Sequence, residues 1–324
     1  MRLDIIAYQD LLNGQNSSAQ QTLASALFEK GIVGVSNVPT FLEKSQALIA
    51  AARQFSALDE SIKQQYAPLR DTGDTEGYEL GAEWFKDENG DWQIDDRKAS
   101  YYAYVPNKPQ NKWPQETDLK SSYLALGDLI FNTGKHVLSA IGLNTEAGID
   151  HTQLAGYARM LHYQKVGNTD SSNPNWCGAH LDHDLLTGLT PAYYFCDGKE
   201  VDEPEEAGLF IKPHNGNQFE KIYVPDKSVM LFQIGEFAQL ASNDKVQATK
   251  HLVKKAKGDI ERFTYVLFYS PAESAKINSK SILISDERYA NQKAQDGSLL
   301  YQQWRVASFE RYRAAIASNQ PDKS

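Results

Sequence analysis

From Tyr157 onward the chain breaks into short runs rich in β-branched and aromatic residues, namely YARMLHY, LTPAYYF, AGLFIKP, FEKIYVP, SVMLFQIG, VQATKHLV and RFTYVLFY. Clusters of Gly, Asn, Asp or Pro separate most of them. Such residues lose side-chain freedom in a helix and pack well on a pleated surface. Many short strands with this punctuation predict a sandwich or jelly roll rather than βαβ units.

The preceding half reads differently. Ser18 with Gln21 and Thr40 with Glu43 have capping-box spacing, which predicts helix starts at both places. Between them GIVGVSNVP (31–39) is β-rich, and a helix runs from Phe41 toward Phe55. Residues 70–100 are rich in Gly, Asp and Glu and read as a long surface excursion. Tyr78, Tyr101, Tyr102 and Tyr104 read as packing aromatics rather than as a substrate mouth. From Thr117 to about Leu143, Leu119, Tyr123, Leu126, Ile130, Val137 and Ile141 recur at helical spacing. Gly127 and Gly134 lie two turns apart on that helix and would admit a close neighbour. The acidic strip 197–206 reads as a solvated loop, and the tail from Ser285 as a helix through Tyr301, Trp304, Phe309 and Tyr312.

The densest chemical signal is GAHLDHDLLTGL (178–189). On a strand His180 and Asp182 point to one side, where both can bind one cation, while Leu181 and His183 face the other. His251, in KHLV, offers a third ligand. Two imidazoles and a carboxylate on one face of a metal leave the opposite face open, an arrangement that suits iron(II) with a co-substrate and dioxygen. Eleven residues later Arg262 and Thr264 share a strand face. An arginine pointing into an aromatic interior needs an anion, and its planar fork matches a carboxylate in two parallel hydrogen bonds. A dicarboxylate such as 2-oxoglutarate would fit. Taken singly, His180 also reads as a hydrogen-bonded core histidine and Arg262 as half of an internal ion pair.

Composition narrows the function classes. A net charge of −9 with both signs interspersed argues against a phosphate-backbone partner such as nucleic acid. No apolar run approaches the roughly 20 residues that span a bilayer, so no membrane partner is expected. The first residues, MRLDIIAYQDLL, do not have the pattern of a signal peptide. Cys177 and Cys196 are the only cysteines, which predicts a reduced, cytoplasmic protein without a disulfide framework.

At these residues the chain resembles the isopenicillin N synthase-like family of iron(II)/2-oxoglutarate oxygenases. HLDHDLLTGL is similar to the family's His-Thr-Asp-x-Gly-x-Leu-Thr-x-Leu stretch. AGLFIKP, GNQFEKIYVPD and SVMLFQIGE resemble its Gly-Gly-Leu, Trp-x-x-Val-x-Pro and Val-x-Asn-Ile-Gly-Asp segments, in order. LASNDKVQATKHLV resembles the approach to the second histidine ligand, RFT stands where the family has Arg-x-Ser, and RMLHYQ resembles Arg-x-Asn-Tyr-Tyr-Pro. FSALDESIKQQY and GYELGAE are similar to the N-terminal helix and Gly-Tyr turn.

The resemblance covers most of the chain. It implies a mainly β protein with flanking helices, built on a double-stranded β-helix (jelly roll). The expected organisation is residues 1–115 as a helical and strand region packed on the core, 116–280 as the oxygenase core with its long supporting helix, and 281–324 as a helical tail. By the same route His180, Asp182 and His251 become iron(II) ligands, and Arg262, Thr264 and Tyr163 become contacts of 2-oxoglutarate as co-substrate. Dioxygen is the oxidant and a small molecule the substrate. Leu181 replaces the usual threonine, Asp184 the usual glycine, and Leu252 the arginine that commonly follows the ligand histidine. His162 and Gln164–Lys165 break the Asn-Tyr-Tyr-Pro pattern. Two other readings stay open from sequence: an iron oxidase that binds a substrate carboxylate at Arg262 and Thr264 without 2-oxoglutarate, and a non-catalytic jelly-roll sensor of a small acid or metal. Neither the substrate nor the oligomeric state is legible.

Overall fold

The computed structural model describes residues 1–13, 17–86, 92–143, 149–165, 174–285 and 296–307. Its strands in chain order begin with β1 (Ile5–Ala7), β2 (Ile32–Ser36), β3 (Gly77–Leu80), β4 (Trp84–Lys86), β5 (Trp92–Ile94) and β6 (Lys98–Val105). β7 (Ala155–Tyr163), β8 (Asn175–His180), β9 (Leu186–Leu189), β10 (Tyr193–Cys196) and β11 (Lys199–Val201) follow. β12 (Gly208–Ile211), β13 (Glu220–Lys221), β14 (Met230–Ile234), β15 (His251–Lys254) and β16 (Ile260–Ser270) complete the roll. The helices are α1 (Tyr8–Asn13), α2 (Ser17–Glu29), α3 (Phe41–Ser56), α4 (Glu60–Lys63), α5 (Leu119–Ala140) and α6 (Glu236–Ser242).

A ten-stranded sheet runs β1-β2-β14-β9-β16-β7-β6-β3, with β10 also on β16 and β11 on β10. A four-stranded sheet, β13-β12-β15-β8, faces it. Two apolar clusters result. The larger includes Leu48, Phe55, Tyr123, Leu126, Tyr265 and Leu267, and joins the large sheet to α3 and α5. The smaller, with Leu161, Trp176, Leu189, Leu231 and Val266, fills the space inside the roll. The large sheet is therefore covered on both faces, which explains why β16 reads as almost unbroken apolar sequence. Its Phe263, Tyr265, Leu267 and Tyr269 alternate with Arg262, Thr264, Val266 and Phe268, which line the interior cavity.

The long helix is where the periodicity predicts it, over Leu119–Ala140. Its two glycines meet the strand below. A Cβ on Gly127 would overlap the Tyr265 hydroxyl, and one on Gly134 the Tyr269 ring. Those hydroxyls donate to the carbonyls of Tyr123 and Ile130.

Several local expectations change. Ser18 lies inside α2 and accepts from Thr22 through its carbonyl, so it is not the cap. Thr40 does precede α3, but at φ 61° its side chain makes no capping bond. The 70–100 stretch is no simple excursion: β3 pairs with β6, and Glu76, Asp95 and Lys98 are buried. Charged residues there pair with one another, which composition cannot reveal. The acidic strip carries β11, and Glu203 reaches the interior cavity. Residues 301–307 are helical, with Tyr301 and Trp304 buried; Phe309 and Tyr312 lie outside the described residues.

Candidate metal centre

Among the described residues one cluster could hold a metal, formed by His180, Asp182 and His251, whose donor atoms all lie within 4.8 Å of one another. The fold brings them together through strand pairing. His180 ends β8, and His251 begins β15 directly opposite it. Asp182 is not on the strand, as alternation would have it, but two residues past its end. Its Oδ1 lies 3.6 Å from His180 Nε2 and 3.8 Å from His251 Nε2.

The surroundings orient all three side chains. His180 Nδ1 is 2.8 Å from the Gly178 carbonyl, and His251 Nδ1 is 2.9 Å from the Thr249 carbonyl. A carbonyl only accepts, so each Nδ1 carries a proton and each Nε2 faces the centre. Asp182 Oδ2 accepts from Thr187 Oγ1 and Gln233 Nε2, each at 2.6 Å. That leaves Oδ1 to the centre. Burial opposes charge here, yet the two imidazoles and these donors hold the Asp182 carboxyl far below the usual range. Burial and the His180 charge hold His251 down at about 4. For His180 burial again opposes charge, and the Cys177 sulfur and Asp182 outweigh it, raising the imidazole well above its ordinary value. A proton at the centre is thus favoured on His180 and disfavoured on His251.

Arg262 lines the same cavity and is 5% exposed. Its Nε donates to the Tyr194 hydroxyl at 3.3 Å, and its Cζ lies 5.0 Å from the Tyr163 ring centroid. Burial pushes the Tyr194 phenol up to about 12, so it stays neutral. Arg262 has no carboxylate in ion-pair range among the described residues, and its buried Nη1 has no hydrogen-bond partner. A buried guanidinium with an orphan N–H is costly unless an anion completes it. Thr264 shares its face, but its hydroxyl donates to the Thr190 carbonyl at 3.1 Å. Tyr163 is buried opposite Arg262 across the β7–β16 ladder, tilted against Trp176.

Sequence reasoning missed Tyr194, Thr187 and Gln233. Thr187 was within reach, being five residues from Asp182 in the same motif; Gln233 and Tyr194 come from distant strands and carried no local signal. His183 points away from the triad toward Glu236 and Trp304.

No family model and no curated protein matches this sequence. Solved structures do. A full-length Neurospora crassa protein, determined in complex with alpha-KG (2-oxoglutarate), is similar at TM-score 0.72 and 19% identity, over 97% of this chain and 96% of that one. A putative 2OG-Fe(II) oxygenase family protein from Caulobacter crescentus matches at TM-score 0.72 and 20% identity, over 95% and 98% of the two chains. JOX2, determined with 2OG, Fe and JA, matches at TM-score 0.67 and 17% identity, over 94% and 84%. The fold is that of the iron(II)/2-oxoglutarate oxygenases. This oxygenase fold is the mainly β jelly roll with flanking helices that the strand pattern and the resemblance predict. No helix among the described residues is long and apolar enough to cross a membrane.

Proposed function

We propose that the protein is a non-haem iron(II), 2-oxoglutarate-dependent oxygenase that oxidises, by hydroxylation, a small molecule. His180, Asp182 and His251 would hold the iron, and Arg262 with Thr264 and Tyr163 would receive the distal carboxylate of 2-oxoglutarate. One observation carries this reading: a three-donor cluster and a buried arginine with an unpartnered Nη1 share a single cavity. The donor set suits iron(II), since two imidazoles and one carboxylate leave coordination positions free. When bound, iron(II) and 2-oxoglutarate supply a two-electron oxidation by dioxygen in which 2-oxoglutarate becomes succinate and carbon dioxide.

The chain's own residues position and exclude. Thr187 and Gln233 keep Asp182 ionised and turned to the metal, and the two backbone carbonyls keep both imidazoles neutral at Nε2 when a cation is present. Arg262, steadied by Tyr194, fixes how far the co-substrate reaches. Leu161, Leu189, Leu231 and Val266 keep the space dry. Small molecules are the bound partners of the neighbours, with thymine in another structure of the Neurospora crassa protein and JA in JOX2. Residues 116–280 would carry the metal and co-substrate, 1–115 a wall of the substrate space, and 281–324 a flanking segment. A cytoplasmic setting agrees with Cys177 and Cys196 both being free thiols.

Anaerobic addition of iron(II) and 2-oxoglutarate should give the visible metal-to-ligand band, and dioxygen uptake should require 2-oxoglutarate. Arg262→Leu should weaken 2-oxoglutarate about a hundredfold, the worth of a charge-assisted pair of hydrogen bonds. Dioxygen uptake that ignores 2-oxoglutarate but needs another acid would refute the co-substrate assignment.

A further inference from the structure

The iron and its co-substrate leave two charged groups of the cavity unused: Glu203, which pairs with Lys221 at 3.1 Å, and Arg159. Arg159 lines the cavity together with His180, Asp182 and Arg262. It lies on β7, on the face shared by Leu161 and Tyr163, and pairs across the ladder with Val266. Arg262 is four residues from Val266 on β16, so about 14 Å of strand rise separates the two arginines. One co-substrate does not engage both.

Arg159 is held in place by three partners. Its Nε and Nη2 donate to Ser100 Oγ at 2.9 and 2.7 Å, and Nη2 pairs with Glu83 at 2.9 Å. Its Cζ sits 4.9 Å over the Tyr102 ring. Nη1 makes no hydrogen bond among the described residues. Glu83 also meets Lys98 at 2.5 Å, and Lys98 meets Asp95 at 2.8 Å. Two cations are thus matched by two carboxylates, and Arg159 offers a donor edge without net charge to spare.

Aromatic rings surround that edge, and of them Phe268 lines the cavity. Tyr102 pairs with Arg159 from β6, and Tyr157 pairs with Phe268 on β16. Tyr102 and Tyr157 stack at 5.8 Å and 19°, and Tyr157 and Phe268 are only half-buried. The iron, Asp182, a dianionic co-substrate and Arg262 also balance one another. An acidic substrate would therefore leave one buried negative charge uncompensated, which is costly in a low-dielectric interior.

Resting on the iron and 2-oxoglutarate reading, we propose that Arg159 is the residue that reads the substrate, and that the substrate is an uncharged flat ring. Its carbonyl oxygen accepts a hydrogen bond from Arg159 Nη1 and its ring lies against Phe268, the aromatic ring that lines the cavity beside it.

The test uses the full chain with iron(II) and 2-oxoglutarate, and the probes are uracil and 2-pyridone against benzoate and nicotinate. Readouts are the perturbation of the anaerobic metal-to-ligand band and probe-stimulated succinate formation. The uncharged pair should perturb the band and the carboxylates should not. Arg159→Met should weaken the uncharged probes about tenfold to a hundredfold, the worth of one charge-assisted bond. The band itself should still form, because the triad and Arg262 are untouched; Arg159→Met leaves Glu83 and Asp95 to share Lys98, so the charge-keeping Arg159→Lys is the variant whose affinity for 2-oxoglutarate should stay as in the wild type. Arg159→Lys, which keeps the charge and loses the fork, should also weaken the probes while leaving the band intact. The proposal falls if the wild type shows the band but answers neither uncharged probe, if the carboxylates bind instead, or if Arg159→Met leaves probe affinity unchanged. A wild type without any band would instead overturn the cofactor reading beneath it.

Discussion

At the scale of single residues, the site is governed by which oxygen or nitrogen is already engaged. Asp182 Oδ2 is consumed by Thr187 and Gln233, so Oδ1 is the atom left to bind. Gln233→Leu should lower iron affinity about tenfold to a hundredfold, measured by metal titration, as expected when an outer partner of a ligand is lost. Without metal the His180 imidazole is raised and so favours a second proton, while His251 is held at about 4. A cation must displace that proton. Below the raised value, metal affinity should therefore climb about tenfold per pH unit, with about one proton released, and should level off once His180 is neutral in the metal-free protein. Calorimetry in two buffers of different ionisation enthalpy would count the proton; a pH-independent affinity across this window would contradict the assignment. Tyr194→Phe removes the acceptor of Arg262 Nε and should weaken 2-oxoglutarate about fivefold, the net worth of one hydrogen bond.

At the scale of elements, alternation along one strand divides the work. The residues of β16 that face the helices hold the fold, and those between them line the cavity. Gly134 is the close-approach point on the helix side, where the Tyr269 ring fills the space a side chain would need. Gly134→Ala should cost about 1–3 kcal/mol by overpacking, read from urea unfolding, with 2-oxoglutarate affinity unchanged in the folded fraction. The two-turn glycine spacing and the long helical period were both legible in advance. The capping boxes were not decisive, because Thr40 adopts a left-handed φ that turns its hydroxyl away from the first turn. Residues 70–100 misled for a different reason: acidic composition usually means solvation, but Asp95 pairs with Lys98 three residues on, and Glu83 meets Lys98 and Arg159, which are its neighbours only in space.

At the scale of the whole molecule, the reactive cavity lies between two sheets, and each sheet contributes what the other lacks. The small sheet brings both histidines into register, and the large sheet brings the arginines. Ligands bound between layers should stiffen both. With iron(II) and 2-oxoglutarate each at a hundred times Kd, mass action gives about 2.7 kcal/mol of added stability from each ligand, so Tm should rise under anaerobic conditions and fall back on chelation.

The amino-acid sequence alone determined the strand-rich class, the long helix and the identity of the triad candidates. Those follow from side-chain period and local spacing, which are properties of neighbours along the chain. Only the tertiary structure decided which atoms remain unsatisfied. Among the described residues the buried Arg262 Nη1 is open because of what strands far apart in sequence do or do not place beside it, and an unpaired buried donor is defined by its surroundings rather than by its own residue type.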